Sequence, residues 1–393
     1  MTAPTLTATI PAIWRRPTRV HFGAGAVMET LEAASQGRTL VVVDADQPHL
    51  AELLGYPHHL QQPVLVRLDT RTCDLAGAIR LARVARGAAR IIAAGGGTVL
   101  DQAALARLFL ADTGMPRRIR HGGPRPGLVH GPTGHTPGGC PDLVAIPTTV
   151  GTAAEVSAAA TVMTGGHRKL VMHPLLAADV AALDPAATRS LPAALRREGT
   201  LEALLRTCNA YLAPPGERCP PGADTEARDL LRELSRSGTA DAPPHDIAVL
   251  SARTLLGLAT LGRNPFSGTT WYLANELAAA TGIRKMAATT AVLPHIWQRI
   301  LDGDTRCGDG TRLHDAWNAI RRGSPHLPAH PVAGFRALTA SWGLSPTAPV
   351  TITAEVLARR AAHAWGAGLP MLGAFTTGDL TRLYARILQG PPS

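Results

Sequence analysis

Lysine is scarce in this 393-residue chain, and the aromatic residues make up only 4% of it. Lys+Arg total 39, so nearly all the cationic charge is arginine. The arginines are scattered, and RRIR at 117–120 is the densest cluster. No basic helix and no basic strand with interleaved aromatics is present, which argues against a nucleic-acid partner. The five cysteines are odd in number, and none are spaced as CxxC. That argues against a disulfide framework or a zinc site and fits a reducing, cytoplasmic setting. The first residues, MTAPTLTATIPAIW, lack the basic region and apolar run of a signal peptide. No apolar run reaches the roughly 18 residues of a membrane span.

What the chain does have is a hydrophobic content of 45% and a formal net charge of +10. A length of 393 residues exceeds what a single core usually serves, so two domains are expected. The diffuse positive field suits an anionic cofactor or substrate.

The first half alternates strand and helix signals. RVHF (19–22), TLVVVD (39–44), PVLVRLD (63–69), ARIIAAGGG (89–97) and LVAIPTT (143–149) read as strands, with helices near 75–85 and over 98–111. Short β-rich runs separated by helices imply a parallel sheet covered on both faces. Residues 112–141, rich in Pro and Gly, read as a loop. After about 187 the strand signals stop. Nine helices are predicted over 191–212, 224–237, 246–262, 267–281, 287–302, 311–321, 331–342, 354–365 and 378–389. The division is an α/β dinucleotide-binding domain over 1–187 and an all-α substrate domain over 188–393. A ligand cleft is expected between them.

Four stretches carry chemistry. AAGGGTVLDQAA places Gly95, Gly96 and Gly97 after a buried strand and before a helix. A tight turn there lets the backbone approach a ligand, and the helix N-terminus favours a pyrophosphate. Thr98 is the expected cap, with Asp101 in the first turn. The spacing is not GxGxxG, so a purely structural glycine turn stays open. Asp44, ending TLVVVD, suits the two ribose hydroxyls of NAD and would repel a 2′-phosphate; an ordinary Asp after a strand is the other reading. AIPTTVGTAAEVS gathers the hydroxyls of Thr148, Thr149 and Thr152, with Glu155 at the start of the next helix. HRKLVMHPLLAADVAALDP puts Lys169 on a β-ribbon, where its ammonium could reach a phosphate or a ribose.

In the second half, LEALLRTCNAYL (201–212) is an amphipathic helix. Leu201, Leu204, Leu205, Cys208 and Leu212 form its apolar stripe, and Glu202, Arg206 and Asn209 run beside it. Taken alone, that polar edge reads as a solvated face with one i, i+4 ion pair.

Together these motifs, in this order and over nearly the whole chain, resemble the iron-type alcohol dehydrogenase family, which has the dehydroquinate synthase-like fold. RVHFGAGA, LVVVDADQ and VLPHI (292–296) add to the match. The resemblance implies a nucleotide-binding α/β domain, a helical domain, an active site between them, hydride transfer between NAD(P) and an alcohol or carbonyl, and a homodimer as the family-level expectation. It implies that Gly95, Gly96, Gly97, Thr98 and Asp101 hold pyrophosphate, and that Thr148, Thr149, Thr152 and Lys169 border the adenine, ribose and nicotinamide. Asp44 favours NAD over NADP. One departure is Ala153-Ala154, where the family has Gly-Ser.

The larger departure is at the metal. The family's Asp and three His positions fall here on Glu202, Arg206, Asn275 and Lys285. Arginine does not ligate metals, and one carboxylate with an amide does not hold a catalytic dication. No tightly bound metal is therefore expected, and His295 is read as structural. Arg206 and Lys285 replace a dication by cationic side chains that can stabilise an alkoxide-like transition state. Lys285, beside another cation, is expected to serve as general base, Arg206 to grip a substrate carboxylate, and Glu202 to orient Arg206. The chain also resembles the divergent dehydrogenase-like proteins encoded with daptide-type ribosomal peptides. That resemblance implies oxidative decarboxylation of a peptide C-terminal threonine, so the substrate is a small molecule or a peptide C-terminus. Two other classes stay open: an NAD-binding pseudoenzyme or scaffold, and a sugar-phosphate cyclase-like lyase.

Overall fold

The computed structural model describes residues 18–32, 37–47, 49–54, 63–69, 73–121, 127–132, 140–216, 218–238, 242–344, 351–366 and 368–390. The first half is built from β1 (Arg19–Phe22), α1 (Ala26–Glu32), β2 (Thr39–Asp44), α2 (His49–Leu53), β3 (Val64–Leu68), α3 (Leu75–Val84), β4 (Arg90–Gly95) and α4 (Gly97–Ala111). It continues through α5 (Met115–His121), β5 (Leu128–His130), β6 (Asp142–Pro147), β7 (Ala159–Thr164), β8 (His167–Met172) and β9 (Val180–Leu183).

Six of these strands form one parallel sheet, in the order β1-β9-β6-β4-β2-β3. Period-2 alternation divides its side chains between two cores. Leu40, Val42, Ile91, Ala93, Leu143 and Ala145 pack with α3 and α4 on one face. Val41, Val43, Ile92, Ala94, Val144 and Ile146 pack with α1 and α2 on the other. Burial on both faces is why β2 and β4 read as unbroken apolar runs. A second, three-stranded sheet has the order β5-β8-β7, with β7 and β8 as an antiparallel ribbon.

From α6 (Ala193–Leu212) onward the described residues are helical: α7 (Ala223–Ser237), α8 (Pro244–Leu256), α9 (Thr269–Thr281), α10 (Lys285–Leu301), α11 (Gly310–Gly323), α12 (Pro331–Ser341), α13 (Ala354–Trp365) and α14 (Thr377–Leu388). The stripe Leu201, Leu204, Leu205, Cys208 and Leu212 is fully within the helical core. No helix among the described residues is long and apolar enough to cross a membrane.

The segment 112–141 departs from the expected loop. It contains α5 and β5, so RRIR lies on a helix rather than in irregular chain. Its residues 122–126 and 133–139 lie outside the described set. The helix expected after AIPTT is a single 3-10 turn, Ala154–Val156, with Glu155 in it.

Candidate active site

Adjacent parallel strands bring the two nucleotide motifs together. Gly95 of β4 is in register with Pro147 of β6, and the Thr148 N–H donates to the Gly95 carbonyl at 3.0 Å. The turns that follow, Gly95–Gly97 and Thr148–Thr152, therefore leave the same carboxyl edge side by side. A Cβ on Gly96 would lie 3.2 Å from Thr149 Cγ2, and one on Gly97 would lie 3.2 Å from Thr152 Cγ2. A Cβ on Gly95 would meet Val99 at 2.6 Å. These glycines thus have two tasks: they let the two turns touch, and they let α4 close onto its strand.

Helix α4 starts at this contact with Gly96 as N-cap and no side chain capping it. Thr98, expected as the cap, lies inside the helix instead and is half-buried. An uncapped N-terminus at the carboxyl edge of an open sheet is where an anionic ligand gains most from the backbone N–H groups. Asp44 ends β2, next to β4 on the same edge. It is buried, its Oδ1 accepts from the Asp46 N–H at 2.9 Å, and desolvation raises its pKa. Asp69, just past β3, adds a second negative charge beside it. Between β3 and α3 a groove of about 540 Å³ is lined by Asp69 and Asp74 but also by Arg67 and Arg80.

Two cofactor residues expected from the sequence do other work. Asp101 lies in the second turn of α4, not the first, and its carboxylate is committed to β7. Oδ2 accepts from both the N–H and the hydroxyl of Thr161, each at 2.9 Å. Burial pushes its carboxyl up to about 6, against those bonds and the nearby Lys285 and Arg168. A carboxylate so placed joins helix to ribbon and does not hold a pyrophosphate. Lys169 does sit on the ribbon, but strand alternation turns it inward. Its ammonium is buried, donates to the Ile119 carbonyl of α5 at 2.5 Å, and has its pKa lowered by that burial. The partner that consumes its charge is a helix C-terminus, where a cation is favoured.

The second half of the site lies on α6, α9 and α10. Lys285 Nζ donates to Glu202 Oε1 at 2.7 Å and stands 4.7 Å over the Trp271 ring. Arg206 comes within 4.0 Å of the same Glu202 oxygen. The Glu202 carboxyl is held below its ordinary pKa: desolvation opposes ionisation, and Lys285, Arg206 and Arg168 outweigh it. The group in direct contact with Lys285 is therefore a carboxylate rather than the cation expected beside it.

Arg206 corrects the sequence reading more sharply. Its NH1 donates to Thr254 Oγ1 at 2.8 Å, and its NH2 donates to the carbonyls of Gly151 and of Thr152, the latter at 2.8 Å. Both NH2 hydrogens are taken by main-chain carbonyls, so the guanidinium lacks the free pair of donors that a bidentate grip on a substrate carboxylate needs. Asn275 is half-buried on α9, one turn beyond Trp271, and its Oδ1 has no hydrogen-bond partner. The polar edge of α6 continues to Asn209, which is buried with its Nδ2 unpartnered. His295 lies elsewhere on α10, ten residues past Lys285. Its pKa is pushed down to about 4 by burial, against a ring N–H bond to the Gly390 backbone.

The family's metal does not fit these residues. Glu202, the one credible ligand, is already neutralised by an ammonium at 2.7 Å. Among the described residues no three His, Cys, Asp or Glu side chains converge as a metal site. Sequence reasoning missed Arg168, Trp271, Thr161 and Thr254. Arg168 neighbours Lys169 on β8 and bears electrostatically on Asp101 and Glu202, yet it makes no hydrogen bond or close ion pair to another described residue. The alternation that turns Lys169 inward is the signal that would have placed Arg168 on the other face.

A parallel sheet with a glycine turn at its carboxyl edge is followed by a helical half that carries ionisable groups. Residues 17–185 match the model of the family described as iron-containing alcohol dehydrogenase. The probable alcohol dehydrogenase EutG of Salmonella typhimurium is 27% identical over 215 residues, 52% of this chain and 50% of that protein. Long-chain-alcohol dehydrogenase 1 of Geobacillus thermodenitrificans is 26% identical over 239 residues, 60% of this chain and 57% of that protein. The chain thus spans about half the length of these curated relatives. The crystal structure of NADH-dependent butanol dehydrogenase A from Thermotoga maritima shares the fold, with a TM-score of 0.75 at 15% identity over 97% of this chain and 98% of that one. The first half of the chain is thus similar to the iron-containing alcohol dehydrogenase family, and the whole chain shares the fold of its solved members.

Proposed function

We propose that this chain is an NAD-dependent oxidoreductase that interconverts an alcohol and a carbonyl in the cleft between its two halves, without a metal at the family position. The observation that carries the second clause is the direct Lys285–Glu202 ion pair, 2.7 Å long, where relatives would place ligands. The touching turns at Gly95–Gly97 and Thr148–Thr152, with the uncapped N-terminus of α4, support the cofactor reading. A bound NAD would supply the hydride acceptor, and the hydroxyl proton would leave to water. Lys285 has a third of its side chain exposed, and Glu202 and Trp271 hold its ammonium in place. Such a fixed donor stabilises the negative charge that develops on the substrate oxygen.

The finer reading is a substrate with a carboxylate near its hydroxyl, of which a peptide C-terminal threonine is one case. Oxidation of that β-hydroxyl gives a β-keto acid, which loses CO₂ readily. Arg206 does not serve this substrate; Arg168 supports the reading as a cation near Glu202 that has no side-chain acceptor among the described residues.

The test is NADH formation from hydroxy acids and from simple alcohols, with and without chelator, together with the metal content of the purified protein. NADP is assayed beside NAD, because Arg67 and Arg80 line the groove next to Asp44. Turnover should survive chelation, and Lys285→Ala should lower it by about 10²- to 10³-fold, the usual effect of losing an oxyanion donor. Stoichiometric iron or zinc whose removal abolishes turnover would overturn metal independence. Wild-type rates in Lys285→Ala would remove Lys285 from the chemistry. Binding without turnover would favour the scaffold reading.

A further inference from the structure

Arg206 stands at a family ligand position, and its hydrogen bonds go to two main-chain carbonyls and one threonine. It leaves α6 and reaches the turn after β6, where its NH2 takes the carbonyls of Gly151 and Thr152; its NH1 takes Thr254 of α8. Three further features converge on that turn. Gly151 adopts φ 97°, and a Cβ there would run into the backbone of Gly199, so α6 and the turn touch main chain to main chain. Ala153 follows at φ 52°. Glu155 is buried in the next turn, with Arg206 as the charge that lowers its pKa against desolvation. The same turn carries Thr149 and Thr152, whose methyl groups meet Gly96 and Gly97.

We propose that Arg206 is a positioning residue for the cofactor site: a guanidinium staple that holds the Gly151–Thr152 turn against the glycine turn and so presets the loop pair that binds NAD. The planar fork matters. One side chain satisfies two adjacent carbonyls and a hydroxyl, which a lysine ammonium on a flexible stem cannot match in geometry. The staple crosses from the helical half to the α/β half, so it fixes both sides of the cleft at once.

The inference rests on the NAD reading, and its test separates the two. NADH binding to the full chain is measured directly by fluorescence for wild type, Arg206→Ala and Arg206→Lys, with folding checked by circular dichroism. Amide hydrogen exchange over residues 148–156 is followed in parallel. Arg206→Ala should weaken NADH binding at least 10-fold and speed exchange in that segment. Methylguanidine at low millimolar concentration should restore both toward wild type, while Arg206→Lys should stay impaired. A merely structural loss would not be rescued selectively by a guanidinium. Unchanged exchange at 148–156 in folded Arg206→Ala, or no response to methylguanidine, overturns the staple. If wild type fails to bind NADH at all, the cofactor reading fails, and the exchange and rescue data still decide whether Arg206 holds the turn.

Discussion

Ala153 is the one non-glycine among the described residues with a positive φ, 52°. The family's glycine at this position has a physical reason, since a left-handed conformation costs an L-residue roughly 1–2 kcal/mol. Replacing a buried alanine by glycine ordinarily loses about 0.8 kcal/mol of methyl burial and roughly 0.5–1 kcal/mol of chain entropy. At Ala153 the released strain offsets both. Ala153→Gly should therefore change stability by less than about 0.5 kcal/mol, whereas Ala181→Gly, equally buried in extended β9, should cost more than about 1 kcal/mol. Urea midpoints of the two variants compare them, and equal losses would refute the strain account. Glu155 makes a second residue-level case. Burial lifts its carboxyl from 4.5 to about 7, despite the pull of Arg206. Between those values the folded state holds a proton that the unfolded chain releases, so stability falls as pH rises through the window, by on the order of 3 kcal/mol in full. Glu155→Gln removes that titration. Its stability relative to wild type should therefore be more favourable at about pH 8 than at about pH 5. Thermal melts at the two pH values measure this, and a variant that loses stability relative to wild type as pH rises, or shows no change, would refute it.

At the scale of elements, legibility followed the strength of the periodic signal. The nine C-terminal helices and the strands β2, β4 and β6 were readable because many buried positions repeat at 3.6 or run unbroken. Helix α5 was not readable: only Met115 and Ile119 of MPRRIRH are buried, too few to establish a period against the Pro and Gly around them. Strand β5 has three residues and exists through parallel pairing with β8, a partner some 40 positions away whose register no local pattern encodes. The site divides in the same way. The i, i+4 pairing of Glu202 with Arg206 could be read along one helix, and the structure keeps it at 4.0 Å. The Lys285–Glu202 contact joins two helices and became legible only through the family's ligand positions. The acceptors of Arg206 are main-chain carbonyls, which carry no residue signature at all. That is why its expected role as a carboxylate clamp failed while its place in the site did not. Lys169 failed for the related reason that a ribbon's two faces cannot be told apart until its partner strand is known.

At the scale of the whole molecule, the two halves meet at two places, and only one of them is the contact of Arg206 with the Gly151–Thr152 turn. At the other, the ribbon is fastened to the helical half. Leu128 of β5 and Leu170 of β8 pack against the helical core, and Gly127 lies so close to Ala364 and Trp365 that a Cβ would collide with both. Arg360 of α13 donates to the Gly166 carbonyl at the ribbon's turn, at 3.0 Å, and to Glu276 of α9 at 3.2 Å. Trp365 Nε1 completes the carboxylate at 3.0 Å, and Glu276 is fully buried. Removing one partner of such a pair strands a buried charge, which costs about 3–5 kcal/mol when burial is complete. Arg360 retains some exposure, so its loss should cost about 2–3 kcal/mol. The effect should also be directional. Because Arg360 is the hydrogen-bonded link to the ribbon's turn, Arg360→Ala should speed amide exchange across β7 and β8 while leaving β4 and β6 at wild-type protection. A Glu276→Gln background, in which no charge is stranded, should recover at least half of the lost stability but none of the ribbon's protection. Recovery of both together would mean that the ribbon is held through the buried carboxylate rather than through the bond to Gly166, and the proposed division of labour within this contact would be wrong.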